Sequence, residues 1–306
     1  MLLLQQMMIL FFLMMIGYML KRKGIIDTDT CKKLSWIVVH IANPALILSG
    51  SIERSEPVQL QVLCLCMGIA VVMFGGLIVA GYIVAGILHV PEKSRGVFRI
   101  MMVFSNIGFM GFPVIRAVYG SDALIYASLF LIPYNILLYT YGIRDMKGKD
   151  RNEEGVLWRK ILNAGVVSSL LSLMIAVFQI QVPQFAAGTV SSLSNLAAPL
   201  SMIVIGASMT EIRVCGLFTD WKLLLFSAIK LLAVPAAGML LLSLFVSDRM
   251  LLGVCLVMLS TPVGSMTAML AQQYGGDYEL DARGVALTTL LSVGTMPLVS
   301  LMTSIK

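Results

Sequence analysis

Ten apolar stretches, most of them close to the length an α-helix needs to cross a bilayer, fill this chain. They run over residues 2–20, 34–50, 58–88, 98–118, 122–143, 161–181, 190–209, 221–245, 249–271 and 283–303, with short charged or turn-rich punctuation between them. A crossing helix takes about 20 mostly apolar residues. Lipid offers the backbone no hydrogen-bond partners, so only helices and closed barrels are viable spanning structures. Barrel strands are about half this length and alternate in polarity; these runs do not. The pattern predicts an all-α integral membrane protein. Charged residues make up 12% of the 306, about half the soluble norm, too few to coat a water-soluble globule. The 58% apolar content excludes disorder, which depends on low hydrophobicity. The longest hydrophilic stretch, 144–160, reads as a connector. The first run precedes its cations Lys21, Arg22 and Lys23, the reverse of a signal peptide, and is read as a span.

The net charge of +6 is a matter of topology and not of nucleic-acid binding. Of the 22 Lys and Arg residues, 17 fall in five alternate connections: 21–33, 89–99, 144–160, 210–222 and 272–283. Arg54, Arg116, Arg249 and Lys306 lie on the other side, and Lys230 lies within a span. Cytoplasmic loops collect cations, so both termini are expected outside the cytoplasm. The five cysteines (Cys31, Cys64, Cys66, Cys215, Cys255) show no metal or redox spacing and read as small apolar residues.

An ungapped shift of 155 residues places Pro44 on Pro199, Ser105 on Ser260, Tyr119-Gly120 on Tyr274-Gly275 and Asp122 on Asp277. Residues 1–150 and 151–306 are therefore read as two five-helix repeats. An odd number of spans inverts the second copy, an arrangement common among secondary transporters. The fourth segment carries Ser105-Asn106-Ile107-Gly108-Phe109-Met110-Gly111-Phe112-Pro113, and the ninth Ser260-Thr261-Pro262-Val263-Gly264-Ser265. Proline removes a donor and glycine permits non-helical angles, so both helices are expected to break in mid-membrane. Such backbone persists at depth only against protein or a water-filled cavity. Paired breaks point to a binding site at the repeat interface, where half-helix N-termini can receive an anion. Ser105, Asn106, Ser260, Thr261 and Ser265 add neutral hydrogen-bonding groups.

Other candidates flank this pair. Asn43 precedes Pro44 in the second segment, and either lines the site or bonds a freed carbonyl. Lys230 lies ten residues into the eighth segment, five before Pro235; it contacts an anionic substrate, pairs with a freed carbonyl, or snorkels. His40 shares a helical face with Asn43 by spacing and is a packing residue or a proton carrier. Asp122 and Asp277 stand where a broken helix ends and suit capping or gating. Gly75, Gly76, Gly81 and Gly86 suit close helix packing in the third segment. No Asp or Glu is placed deep in a span, so an intramembrane carboxylate for ion coupling is not expected. No Walker A, H-E-x-x-H or G-x-S-x-G stretch is present, leaving no starting point for ATP drive or for protease or lipase chemistry.

Asn43-Pro44-Ala45-Leu46-Ile47, Asn106-x-Gly108-x-x-Gly111-x-Pro113, Ala197-Ala198-Pro199-Leu200 through Gly206-Ala207-Ser208-Met209, and Ser260-Thr261-Pro262 ending in Ala271-Gln272-Gln273-Tyr274-Gly275 together resemble the auxin efflux carrier family. The bacterial malate- or malonate-permease-like branch, with its short central loop, is the closer likeness. The resemblance covers nearly the whole chain and implies the ten-helix fold of bile-acid-sodium symporters. Segments one, two, six and seven would form a scaffold, and three to five with eight to ten a moving unit. Segments four and nine would be broken and would cross at the substrate site, and homodimers occur among plant relatives. The ninth segment has Pro262 alone where many relatives have two prolines in tandem.

The sequence thus leads to a non-enzymatic secondary carrier of a small organic anion, a mono- or dicarboxylate, in a bacterial cytoplasmic membrane. It needs no cofactor beyond a coupling sodium ion or proton and works by an elevator-like exchange of access. Its partners would be that anion, the lipid bilayer and a second copy of the chain. The alternatives are a sodium-coupled symporter of an amphipathic anion and a receptor that binds such a ligand without moving it.

Overall fold

Each apolar segment becomes helix. The computed structural model describes residues 2–53, 60–147, 162–211 and 218–300. Arg54, Cys215, Lys306 and most of the 144–160 connector lie outside the described residues. Twelve helices are described: α1 (Leu2–Arg22), α2 (Thr28–Ile52), α3 (Leu60–Ile87), α4 (Glu92–Val103), α5 (Ile107–Tyr119), α6 (Ala123–Met146), α7 (Ala164–Phe178), α8 (Gln184–Ser208), α9 (Trp221–Leu242), α10 (Arg249–Ser260), α11 (Ser265–Tyr274) and α12 (Tyr278–Ser300). Among the described residues, the sole extended pairing is one antiparallel bridge, Ser105 to Val263.

Six of these helices, α2, α3, α6, α8, α9 and α12, are long and apolar enough to cross a membrane. Their outward faces carry large apolar side chains, such as Val72, Val79 and Ile83 on α3 and Leu240 and Leu241 on α9. Water would not tolerate so much exposed apolar surface on a monomer. The chain is a multi-pass membrane protein.

Short polar residues set the helix starts. Asp27, Asn163, Asp220 and Asp248 each accept from backbone N–H groups of the following turn, at Thr30, Val166, Leu223 and Leu251 respectively. These caps satisfy donors that a helix N-terminus otherwise leaves free. They also explain why the second helix starts earlier than its apolar run. Asp27 opens α2 at Thr28, and a full polar turn precedes residue 34. The tenth segment is extended in the same way. Asp277 accepts from Leu280 N at 3.2 Å, so Glu279, Asp281 and Arg283 lie inside α12 rather than in the preceding connection.

The closest helix contacts are made by glycines other than those expected. A Cβ on Gly17 of α1 would lie 2.1 Å from the Ile203 carbonyl oxygen, and one on Gly206 of α8 would lie 1.8 Å from that of Met14. The two helices therefore touch backbone to backbone at both positions, a contact only glycine permits. In α3, Gly75, Gly76 and Gly86 face open space; Gly81 alone packs, against Arg99. A glycine's spacing along one helix does not say whether that face meets a neighbour.

The candidate site at the crossing of two broken helices

α4 ends at Val103 and α5 begins at Ile107; α10 ends at Ser260 and α11 begins at Ser265. The two gaps lie against each other in antiparallel fashion. Asn106 N donates to Pro262 O at 2.7 Å, and Gly264 N donates to Phe104 O at 2.9 Å, flanking the Ser105–Val263 bridge. Each break thus satisfies backbone groups freed by the other, which is what buried non-helical backbone requires. Gly264 is needed for the approach, because a Cβ there would lie 3.0 Å from Ser105 O. Val263 N finds its partner in a side chain, donating to Thr288 Oγ1 of α12 at 3.1 Å.

The polar residues singled out in the sequence take distinct parts. Asn106 caps the second half of its broken helix, its Oδ1 accepting from Phe109 N at 3.3 Å. Ser260 and Thr261 donate to carbonyls of their own helix, Leu256 O at 2.6 Å and Met258 O at 2.8 Å, which leaves both hydroxyl oxygens able to accept. Thr261 reaches the opposite break, since a Cβ on Gly111 would lie 3.5 Å from its methyl. Asn43 is brought in from α2: its Nδ2 lies 3.3 Å from where a Gly108 Cβ would stand, and its buried Oδ1 has no hydrogen-bond partner. Ser265 opens α11, half-buried. Pro113 sits at the start of the α-helical turns after a π-helical turn at Ile107–Gly111. Pro44 and Pro199 open the second pieces of α2 and α8.

Lys230 is fully buried, and its Nζ donates to Met102 O at 2.7 Å and to Ser105 Oγ at 2.6 Å. Met102 belongs to the last turn of α4, whose carbonyls have lost their helical partners at the break and form the negative end of the helix dipole. The ammonium therefore acts as a cap on a half-helix. It does not snorkel. Beside the break, Leu10, Phe11, Met14, Met110, Met202, Thr289 and Val293 line a mostly apolar cleft between α1, α5, α8 and α12.

Three expectations change. His40 does not share a buried face with Asn43: it is exposed, stacked on Trp36 with ring centroids 4.6 Å apart. A π-helical turn at Val38–Ala42 rotates it away. Asp277 is engaged in capping α12 and accepts from Ser94 Oγ at 3.3 Å, whereas Asp122, at the start of α6, makes no such side-chain cap. The third change is Asp281, the carboxylate that the apolar pattern left in a loop. It is fully buried, and its Oδ1 lies 2.6 Å from Thr267 Oγ1. The signal that locates it is the Asp277 cap four residues earlier, which places Asp281 in the first turns of a helix.

The family described as membrane transport protein matches residues 2–156 and 151–300. An uncharacterized transporter of Methanocaldococcus jannaschii is 27% identical over 303 residues, covering 93% of this chain and 94% of that protein. An uncharacterized transporter of Methanothermobacter thermautotrophicus is 24% identical over 302 residues, covering 94% and 93%.

Proposed function

The chain belongs to the membrane transport protein family, and on that premise we propose that it is a secondary carrier of a small organic anion, a mono- or dicarboxylate. The observation that carries this reading is the fully buried Lys230 ammonium, held at the break by Met102 O and Ser105 Oγ, with Asn43 reaching Gly108 of the same break. Asn43 Oδ1 is a buried acceptor without a partner, a state that costs about 1–3 kcal/mol and that a water accompanying the anion, or a hydroxyl of the solute, would relieve by donating to it. Asn43, Asn106, Ser260 and Thr261 would orient the solute and Lys230 would supply positive charge.

The two repeats, residues 1–150 and 151–306, would relate by inversion. Gly120 and Gly275, matched by the 155-residue shift, both end helices with positive φ, 83° and 78°. The packing of α1 on α8 and of α7 on α2 is the pair of contacts that exchanging the halves would produce. In this reading α1, α2, α7 and α8 form the scaffold and the other helices the moving unit, which shifts elevator-fashion in a bacterial cytoplasmic membrane. Both termini would lie outside the cytoplasm, by the cation count, and a second copy of the chain would complete a homodimer.

Thermal-shift screening of the purified protein against organic anions, with and without sodium, tests the proposal. Stabilisation by a carboxylate, followed by counterflow of that solute in proteoliposomes, is the expected result. Stabilisation only by a cation or neutral solute defeats the anion reading. Tight anion binding without counterflow makes the protein a receptor.

A further inference from the structure

We infer that Asp281 is a proton-binding site and that Thr267 passes its protonation state to the Gly264 carbonyl at the helix crossing. Thr267 Oγ1 lies 2.8 Å from Gly264 O and 2.6 Å from Asp281 Oδ1. A threonine hydroxyl has one hydrogen to donate and can also accept. Gly264 O has no hydrogen of its own, so that contact is a bond only if Thr267 donates to it. The contact with Asp281 is then a bond only if the carboxyl carries the proton and donates to Thr267. The neutral acid completes the chain from Asp281 Oδ1–H to Thr267 Oγ1–H to Gly264 O. An ionised Asp281 would take the threonine hydrogen for itself and leave two oxygens 2.8 Å apart with nothing between them.

The surroundings agree. Asp281 is fully buried, and its Oδ2 has no partner; a neutral carbonyl oxygen bears that far more easily than half of a carboxylate. Among the described residues, no cation pairs with it. On the elements packed against α12, Lys230 is held by Met102 O and Ser105 Oγ, Arg99 pairs with Asp145 at 3.0 Å, Arg95 donates to Val90 O, and Lys222 donates to His89 O. Lys21 and Arg22 end α1, Lys21 donating to Thr28, and Arg249 opens α10 a full helix before Ser260. On α12 itself, Arg283 is two positions on, a spacing that does not share a face, and Glu279 precedes Asp281 by the same spacing. The other ionisable groups on these elements are Glu92 and Lys93, exposed at the start of α4, Tyr18 of α1, Cys255 of α10, Tyr274 of α11 and Tyr278, exposed at the start of α12.

Loss of the proton has a defined consequence. Thr267 turns its hydrogen to the carboxylate, and Gly264 O, whose own N–H holds the crossing to Phe104 O, loses one of its two donors, keeping Thr267 N at 3.0 Å. Protonation is thereby linked to the polarity of the break itself. If the chain carries an anion as proposed above, this is the site through which a proton would accompany it. The test needs no transport.

Infrared spectroscopy of the purified full chain, titrated from mildly acidic to alkaline buffer, reads the proton directly. The wild type should show a protonated-carboxyl C=O band at neutral pH that fades at alkaline pH, and Asp281→Asn should lack it. Identical spectra for the two proteins across the titration overturn the inference. Thr267→Val gives a second readout in a protein with the acid intact: the band should persist and shift as its hydrogen bond is lost, and Thr267→Ser should restore it. A band unmoved by Thr267→Val overturns the relay. In melting experiments, the folded protein keeps a proton that the unfolded chain releases at lower pH, so the wild type should lose melting temperature relative to Asp281→Asn as pH rises from acidic values, levelling off once the folded acid ionises. A gap that stays constant from acidic to neutral pH counts against the site.

Discussion

Lys230 Nζ lies 2.6 Å from Ser105 Oγ, so a cation carried by α9 is anchored on the break in another helix. Two of its three hydrogens are taken by Ser105 and by Met102 O, leaving one for a bound anion. Lys230→Met keeps the chain length of the stem and removes the charge. A hydrogen bond from a charged group contributes about 1.5–3 kcal/mol, so the affinity for a stabilising carboxylate should fall roughly tenfold to a hundredfold. Calorimetry on the variant reads this directly. Unchanged affinity would remove Lys230 from the site and leave it as a helix cap.

Gly264→Ala tests the crossing itself. The added Cβ would stand 3.0 Å from Ser105 O and 3.3 Å from Phe104 O, both backbone atoms that cannot rotate aside. Separating the strands weakens the Gly264 N to Phe104 O and Asn106 N to Pro262 O bonds together. We expect a loss of about 1–3 kcal/mol, the usual range for forcing an atom into a packed interior, and a larger proportional loss of anion-induced stabilisation. A variant with wild-type melting and wild-type ligand response would mean that the pairing is not what shapes the site.

The breaks were legible because proline, glycine and small polar residues have few reasons to cluster in apolar runs, and the clusters at 105–113 and 260–265 recurred at one shift. The pairing partner was not. Which residue faces Ser105 depends on two backbones distant in sequence, and Val263, an ordinary apolar residue, carries no mark of it. Asp281 was missed for the opposite reason. Charge density near 277–283 looks like a loop in a hydropathy reading, whereas the Asp277 cap turns the same residues into helix. His40 shows the limit of periodicity: one π-helical turn is enough to separate it from Asn43.

Asn43→Leu should separate stability from binding. The substitution removes a buried acceptor that has no partner and replaces the amide with an apolar group of similar size. Relief of an unsatisfied polar atom is worth about 1–3 kcal/mol, so the ligand-free variant should melt at a higher temperature than the wild type. Stabilisation by carboxylates should disappear, the exchange expected where a binding group is kept at a cost to the fold. A lower melting temperature with ligand response intact would show that Asn43 serves packing alone.

The contact of α1 with α8 gives the sharpest contrast between equivalent-looking residues. A side chain on Gly206 would begin 1.8 Å from Met14 O, while one on Gly76 would meet nothing within 4 Å. Neither helix can yield at Gly206 without also losing the Gly17 contact to Ile203. Gly206→Val should therefore destabilise by more than about 3 kcal/mol, beyond the ordinary range for overpacking, and yield little folded protein in a fluorescence size-exclusion assay. Gly76→Ala should be neutral or stabilising by up to about 1 kcal/mol, because alanine is the better helix former. Equal behaviour of the two variants would contradict the backbone contact between α1 and α8, and with it the scaffold on which the proposed movement depends.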